Sequence, residues 1–350
     1  MTKEMAAELL AWYDAGHRDL PWRRTKVSYR IWLSEIMLQQ TRVEAVIPYY
    51  ERFLQTCPDI EALAKAPEQV YLKLWEGLGY YSRVRNLHKA ACLLCEQYGG
   101  QMPSDYKELL SLPGIGDYTA SAVASIAFGL AEPAVDGNVL RVCARIQGDF
   151  RPIDDLKVKR DFRAQLVEII PKDRAGDFNQ ALMELGATVC IPNGAPRCAD
   201  CPVSHLCHTF QQKTWEQIPV RTPKKARTIA ERTVILVRCG NLVGIRRRPD
   251  SGLLARMWEL PAYEGALKPR EIRQQLDKDG WKVTKLLALS PAKHVFTHIE
   301  WRMTGYYAEL CAPVPELMWV TPDELRGEYA LPSAFRTFLE VLEESCNISV

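Results

Sequence analysis

The chain has 350 residues, 45 Lys and Arg against 43 Asp and Glu, a formal net charge of +2 and a 47% hydrophobic share. That length and apolar content predict a globular protein of two domains, each burying its own core. The near-neutral charge excludes a chain that binds nucleic acid through composition alone, so a binding face must be a local basic surface. Residues 1–16 lack a basic start followed by a long apolar run. No stretch reaches the roughly 18 apolar residues of a membrane span, so no membrane partner and a cytoplasmic location are expected. Eleven cysteines suit metal ligation and buried thiols better than a disulfide framework in such a chain.

In chain order, Leu20-Pro21-Trp22-Arg23 follows a helix-like start and precedes an amphipathic run over residues 29–40. Glu35 stands in the middle of its apolar stripe. A carboxyl there is either solvated at the stripe's edge or buried with a raised pKa as a general acid. Gln39, Gln40 and Thr41 close the run with polar groups able to contact bases. A second helical pair over 43–54 and 67–74 leads to residues 77–86, with Tyr80, Tyr81, Arg83 and Arg85 around two glycines. These ingredients make a packed loop or, on DNA, a wedge into the base stack with phosphate neutralisation. Helix continues over 87–98, where Cys92 and Cys95 read as core.

The stretch 105–136 is the organising one. Ser104 is the expected N-cap of a short helix with Tyr106, Leu109 and Leu110 on one face. Pro113 ends that helix, and Gly114 and Gly116 allow a tight turn with backbone close to a ligand. The Ala-rich helix over 118–130 then presents free N–H groups that favour a phosphate. A helix–turn–helix without ligand is the other reading of so short a pattern. Asp136-Gly137-Asn138 opens the next helix, where Asp136 serves as N-cap, a role compatible with a catalytic one.

Residues 151–187 read as helical. Cys190, Cys198, Cys201 and Cys207 follow in a C-x7-C-x2-C-x5-C run among Pro192, Pro196 and Pro202. Four thiolates in one loop can wrap a [4Fe-4S] cluster or hold tetrahedral zinc, and one uneven loop rather than two paired knuckles favours iron. His205 and His208 read as solvated. Residues 218–228, with Pro219, Pro223, Lys224 and Lys225, read as a linker, a solvated tether whose basic run could lie along phosphate. Beyond it come strands at 233–238 and 242–246 around a hairpin signal, another strand at 298–310, and helices at 270–276 and 334–344.

Leu112-Pro113-Gly114-Ile115-Gly116 resembles the hairpin of the helix-hairpin-helix DNA glycosylases. With residues 20–50, 77–88, Asp136 to Arg141, 178–207 and the C-terminal part, the resemblance is to the MutY adenine DNA glycosylases. It implies an all-α helix-hairpin-helix glycosylase domain with an iron-sulfur cluster loop over 1–217 (loop 190–207), a linker at 218–228, and an α+β Nudix-like lesion-recognition domain over 229–350. It implies a monomeric enzyme near the nucleoid that removes adenine opposite 8-oxoguanine or G in double-stranded DNA. Glu35 matches the acid that protonates adenine on N7, and Asp136 the carboxylate that stabilises or traps the oxocarbenium. Asn138 matches a group that orients the site, and Tyr118 one beside the carboxylate. A raised pKa at Glu35 and a depressed one at Asp136 are expected.

Endonuclease III-like relatives carry a Lys where Tyr118 stands, so this chain is expected to lack Schiff-base lyase chemistry. Arg23, Gln40, Thr41, Leu78, Tyr80, Gly114 and Gly116 match DNA or lesion contacts. Phe296-Thr297-His298 stands where the family has Phe-Ser-His. The four cysteines match the [4Fe-4S] ligands, although the first gap is one residue longer than usual. Residues 270–273 are not followed by paired acids, which disfavours a Nudix pyrophosphatase. A bifunctional glycosylase/lyase and a non-catalytic damage sensor are the alternatives; a sensor has no need of both Glu35 and Asp136.

Overall fold

The structure, a computed structural model, describes residues 1–223 and 226–347, with side chains as far as Leu342. Its contacts group into two units: Met1–Ala66 with Ser82–Pro223, and Pro67–Tyr81 with Lys224–Val350. The short segment Pro67–Tyr81 therefore belongs to the second unit, although its sequence lies inside the helical half.

The first unit is helical: α1 (Lys3–Gly16), α2 (Ser28–Leu38), α3 (Val43–Thr56), α4 (Ile60–Lys65), then, beyond the α5 segment of the other unit, α6 (Ser82–Tyr98), α7 (Tyr106–Ser111), α8 (Asp117–Phe128), α9 (Gly137–Gln147), α10 (Leu156–Val167), α11 (Ala175–Thr188) and α12 (His208–Gln212). Helix α5 spans Glu68–Leu74. The helical text of 151–187 is two helices separated by Pro171, and α4 was not expected from its six residues. Phe162, Phe178, Leu182 and Leu9 form one core among α1, α9, α10 and α11. Around α2, Trp32, Leu33 and Met37 have no exposed surface.

The cap of α7 is Asp105 rather than Ser104: its carboxylate accepts from the N–H groups of Lys107 and Glu108 at 2.8 and 3.1 Å. A carboxylate can accept both, and it favours the positive helix end. Cys92 and Cys95 are half-buried on α6 rather than core. The residues 218–222 are held to the helical unit: Ile218 is buried, the Ile153 N–H donates to Val220 O at 3.0 Å, and the Thr222 N–H to Asp154 Oδ2 at 2.7 Å. Lys224 and Lys225, the basic run of the expected linker, lie outside the described residues.

The second unit is built on a mixed sheet of order β3-β2-β1-β6-β5: β1 (Thr228–Cys239), β2 (Leu242–Arg247), β3 (Trp258–Glu259), β5 (Val283–Val295) and β6 (Ile299–Leu310). Strands β4 (Ala262–Glu264) and β7 (Met318–Val320) pair with β1 and β2. Only β1 and β6 run parallel among these pairs. Helices α13 (Pro269–Lys278), α14 (Pro322–Gly327) and α15 (Arg336–Asn347) complete it. Both faces of β1 are covered, Val234 and Leu236 by Phe335 and Phe338, and Ile235 and Val237 by Ile272 and Leu276. Its apolar run without alternation follows from that double coverage.

Candidate active site

Helix α2 is buried continuously from Tyr29 through Met37, except at Arg30, and packs on α8. Glu35 therefore has no solvated edge to occupy; it is 5% exposed. Burial raises its pKa first, the Tyr118 hydrogen bond opposes the shift, the nearby Asp136 adds to it, and the carboxyl is left at about 7. Tyr118, in the first turn of α8, donates its hydroxyl to Glu35 Oε2 at 2.5 Å and also reaches Met183 Sδ at 3.2 Å. Burial and the neighbouring carboxylates keep that hydroxyl protonated.

Asp136 is the N-cap of α9: Oδ1 accepts from the Val139 N–H at 2.7 Å and Oδ2 from Asn138 Nδ2 at 3.0 Å. The expected depression of its pKa is not found. Burial outweighs the N–H donors and pushes it up. The two acids nevertheless differ in kind. Both Asp136 oxygens accept from N–H donors, which suits an anion, whereas Glu35 meets a hydroxyl in a drier place. Asn138 is held in turn by Arg141, whose Nη2 donates to Asn138 Oδ1 at 2.9 Å and Gly186 O at 2.8 Å, with Nε on Cys190 O at 2.9 Å. A Cβ on Gly186 would stand 2.7 Å from Asn138 Cβ, so only glycine lets α11 approach this turn.

Glu35, Tyr118, Asp136 and Asn138 line one cavity of about 650 Å³, together with Arg18, Trp22, Arg23, Gln39, Gln40, Thr41, Gln180 and Glu184. Such a volume has room for an extruded nucleotide. Arg23, expected among the DNA or lesion contacts, is mostly enclosed. Its Nη2 meets Glu184 Oε2 at 2.8 Å, and Arg18 Nε meets Oε1 at 2.8 Å. Burial would raise the Glu184 pKa, but the two guanidiniums more than offset it and hold the carboxyl at about 2. Glu184, Arg18 and Arg141 were not found from sequence. Their charges sit on helix faces that read as ordinary amphipathic text, although Arg141 stands three residues beyond Asn138, one helical turn away.

The cavity's rim is set by the end of α2. Arg83 Nη1 donates to the carbonyls of Ile36, Met37 and Gln39 at 2.8, 3.1 and 2.6 Å. Gln40 follows with φ 59°, and Gln39 Nε2 reaches Thr119 Oγ1 at 3.3 Å. In the hairpin, Leu112 and Ile115 are buried, while Gly114 has φ +76° and its Cβ position lies 2.5 Å from Asn86 Cβ. Gly114 thus answers both to conformation and to close approach. Gly116 caps α8 with open space in front of it, as a phosphate would need.

In the second unit, Leu78 is buried, and Tyr80, 46% exposed with φ 47°, lies 3.0 Å by its hydroxyl from Thr297 Oγ1. Phe296 packs edge-on against Trp301 and His294, and Thr297 and His298 are exposed at the turn between β5 and β6.

Cys190, Cys198, Cys201 and Cys207 line one small apolar cavity of about 30 Å³ with Val142, Arg145 and Leu185. Burial pushes the Cys201 thiol up to about 12, so deprotonation there calls for a bound cation. Among the described residues, no three His, Cys, Asp or Glu side chains could share one metal ion. Arg145 Nη1 donates to Cys190 Sγ at 3.4 Å. His205 lies 3.4 Å from Glu8, and the His208 ring lies against Gly148.

Residues 33–171 match the family described as HhH-GPD superfamily base excision DNA repair protein, and residues 233–341 match the NUDIX domain. The chain is 35% identical to the adenine DNA glycosylase of Homo sapiens, over 94% of this chain and 73% of that one. It is 36% identical to that of Mus musculus, over 97% and 78%. Among solved structures, a thermostable thymine-DNA glycosylase is 31% identical with a TM-score of 0.55, over 60% of this chain and 96% of that one. A non-covalent endonuclease III–DNA complex is 26% identical with a TM-score of 0.52, over 61% and 98%. With two curated relatives above 30% identity along nearly its whole length, and a buried acid sharing one cavity with a helix-capping carboxylate, the chain belongs to the adenine DNA glycosylase family.

Proposed function

We propose that this enzyme removes adenine mispaired with 8-oxoguanine or G from double-stranded DNA by monofunctional hydrolysis of the N-glycosidic bond. The observation that carries the mechanism is Glu35, buried, held near neutrality and sharing a cavity with Asp136. Glu35 gives its proton to adenine N7. The C1′–N9 bond then breaks with its electron pair leaving on the neutral base. The cation left at C1′ faces Asp136, whose carboxylate stabilises it or forms a transient bond to C1′ before water attacks. Asn138 fixes the Asp136 carboxylate, and Tyr118 fixes Glu35. Tyr118 in place of a lysine leaves no amine to form a Schiff base.

In this reading the chemistry belongs to residues 1–217 and lesion recognition to 229–350, joined by 218–228. Gly114 and Gly116 hold backbone phosphate; Arg23 lines the base cavity, Gln40 and Thr41 contact the opened duplex, Leu78, buried, backs the loop that presents Tyr80, and Tyr80 fills the gap. Phe296, Thr297 and His298 meet the base opposite adenine. Cys190, Cys198, Cys201 and Cys207 would hold a [4Fe-4S] cluster, which when bound supplies a covalent staple for the loop that carries Arg197 and His205. DNA binding is supported by the likeness to an endonuclease III–DNA complex.

The test is single-turnover base release from duplexes carrying adenine opposite 8-oxoguanine and opposite G, with Glu35→Gln and Asp136→Asn as controls. Release should be faster opposite 8-oxoguanine. Each substitution should cost roughly 10²-fold or more, the scale of positioned acid–base groups. Unchanged release in Glu35→Gln would reject the mechanism, equal rates opposite both bases would remove the 8-oxoguanine claim, and efficient borohydride trapping on DNA would replace hydrolysis by lyase chemistry.

A further inference from the structure

Helix α5 is tied to the C-terminal residues at both its ends. At its start, Glu68 Oε2 accepts from Arg247 Nη2 and Arg256 Nη2, each at 2.7 Å. At its end, Lys73 Nζ donates to Tyr329 O at 3.1 Å and pairs with Glu76 at 2.6 Å, while Glu76 Oε1 accepts from the Leu331 N–H at 2.8 Å. From that anchored end the chain turns at once into the loop bearing Tyr80. Trp75 Nε1 braces the loop by donating to Gly79 O at 3.1 Å, and Tyr80 closes it on Thr297. The partner loop is itself held in an uncommon shape. Leu254 and Arg256 have φ of 56° and 59°, the Arg256 N–H donates to Pro249 O at 3.0 Å, and Arg247 Nε reaches Arg256 O at 3.3 Å. Non-glycine residues keep such a backbone only where their surroundings hold it, and here the result is two guanidiniums on one carboxylate.

We propose that Pro67–Tyr81 works as a strap of the C-terminal unit, anchored at Glu68 by Arg247 and Arg256, and that this anchor sets Tyr80 against Thr297 and so the discrimination for the base opposite adenine. The proposal rests on the reading that Tyr80 and Thr297 meet that base. Glu68 is then a positioning residue for specificity, outside the cavity in which the bond breaks. Its side chain is 23% exposed and the arginines 47% each. An anchor this wet carries a modest effect, of about fivefold rather than thousands. Arg256 also has the exposed Asp250 at 3.7 Å, which a charge reversal at Glu68 leaves untouched.

The test uses the full-length enzyme, Glu68→Arg, and the charge-swapped Glu68→Arg with Arg247→Glu and Arg256→Glu. Two quantities are read: amide hydrogen exchange over residues 67–81, and the ratio of single-turnover base release opposite 8-oxoguanine to that opposite G. In Glu68→Arg, exchange over 67–81 should rise. The ratio should fall about fivefold while release opposite G holds, and the swapped variant should recover both. Unaltered exchange in Glu68→Arg would overturn the anchor; raised exchange with an unaltered ratio would overturn its role in discrimination. A wild-type enzyme with equal rates opposite both bases would defeat the lesion reading alone, because the exchange measurement still decides the anchor.

Discussion

Burial is the largest cause of the Glu35 shift, and its sign sets two pH dependences. The proton is held more tightly in the folded chain, at about 7, than at the ordinary 4.5 of an unfolded one. Stability from this group is therefore complete below about 4.5 and is lost as pH rises through about 7, by on the order of 3 kcal/mol. Glu35→Gln keeps the acceptor for Tyr118 and removes the titration. Thermal unfolding should find it more stable than the parent chain, with a gap that widens between pH 5 and pH 8; a gap independent of pH would mean that Glu35 is not held protonated. Activity follows the same proton. Base release should decline as pH rises through about 7, and Tyr118→Phe, which removes the bond favouring the carboxylate, should carry that descending limb to higher pH. A limb left in place would show that Tyr118 does not set the acidity of Glu35.

At the scale of elements, α2 delivers two things: an acid at its middle and a polar corner at its end. The corner depends on Arg83, which takes three carbonyls where a helix leaves its last C=O groups without partners. Arg83→Ala frees those carbonyls and the αL turn at Gln40, and should weaken mismatch binding and base release by about tenfold, with Arg83→Lys recovering part through one charged donor. Equal losses in both variants would point to a merely structural arginine. The apolar stripe of α2, the hairpin and the Asp136 cap were legible in sequence because each is local: spacing, a Pro–Gly turn, a capping carboxylate. The direction of the Asp136 shift was not, since burial is decided by α8 and α11 packing around it. The same holds for Glu184 between Arg18 and Arg23, and for β5, whose solvated face and Pro291 hide a 13-residue strand. The separation of 67–81 from its sequence neighbours is likewise a matter of long-range pairing, which no local pattern carries.

Across the whole helical unit, the cysteine loop and the Asp136–Asn138 turn are joined by one buried side chain. Arg141 takes Cys190 O, Gly186 O and Asn138 Oδ1, and Asn138 takes Asp136 Oδ2. Burial lowers the Arg141 pKa, and the nearby Asp136 opposes that shift. Arg141→Gln keeps much of the volume but cannot span three acceptors, and it leaves buried carbonyls unpaired, at a cost of about 1–3 kcal/mol for such a group. The expected outcome is a lower unfolding temperature together with a loss of base release of roughly 10- to 100-fold, the range in which removing an orienting partner acts. Binding to mismatched DNA should fall much less, because neither the hairpin nor the α2 corner touches this arginine. The decisive comparison is Asn138→Ala in the wild-type and Arg141→Gln backgrounds. If Arg141 acts by aiming Asn138 at Asp136, the second substitution adds little to the first; fully additive losses would mean that the loop and the carboxylate are held independently.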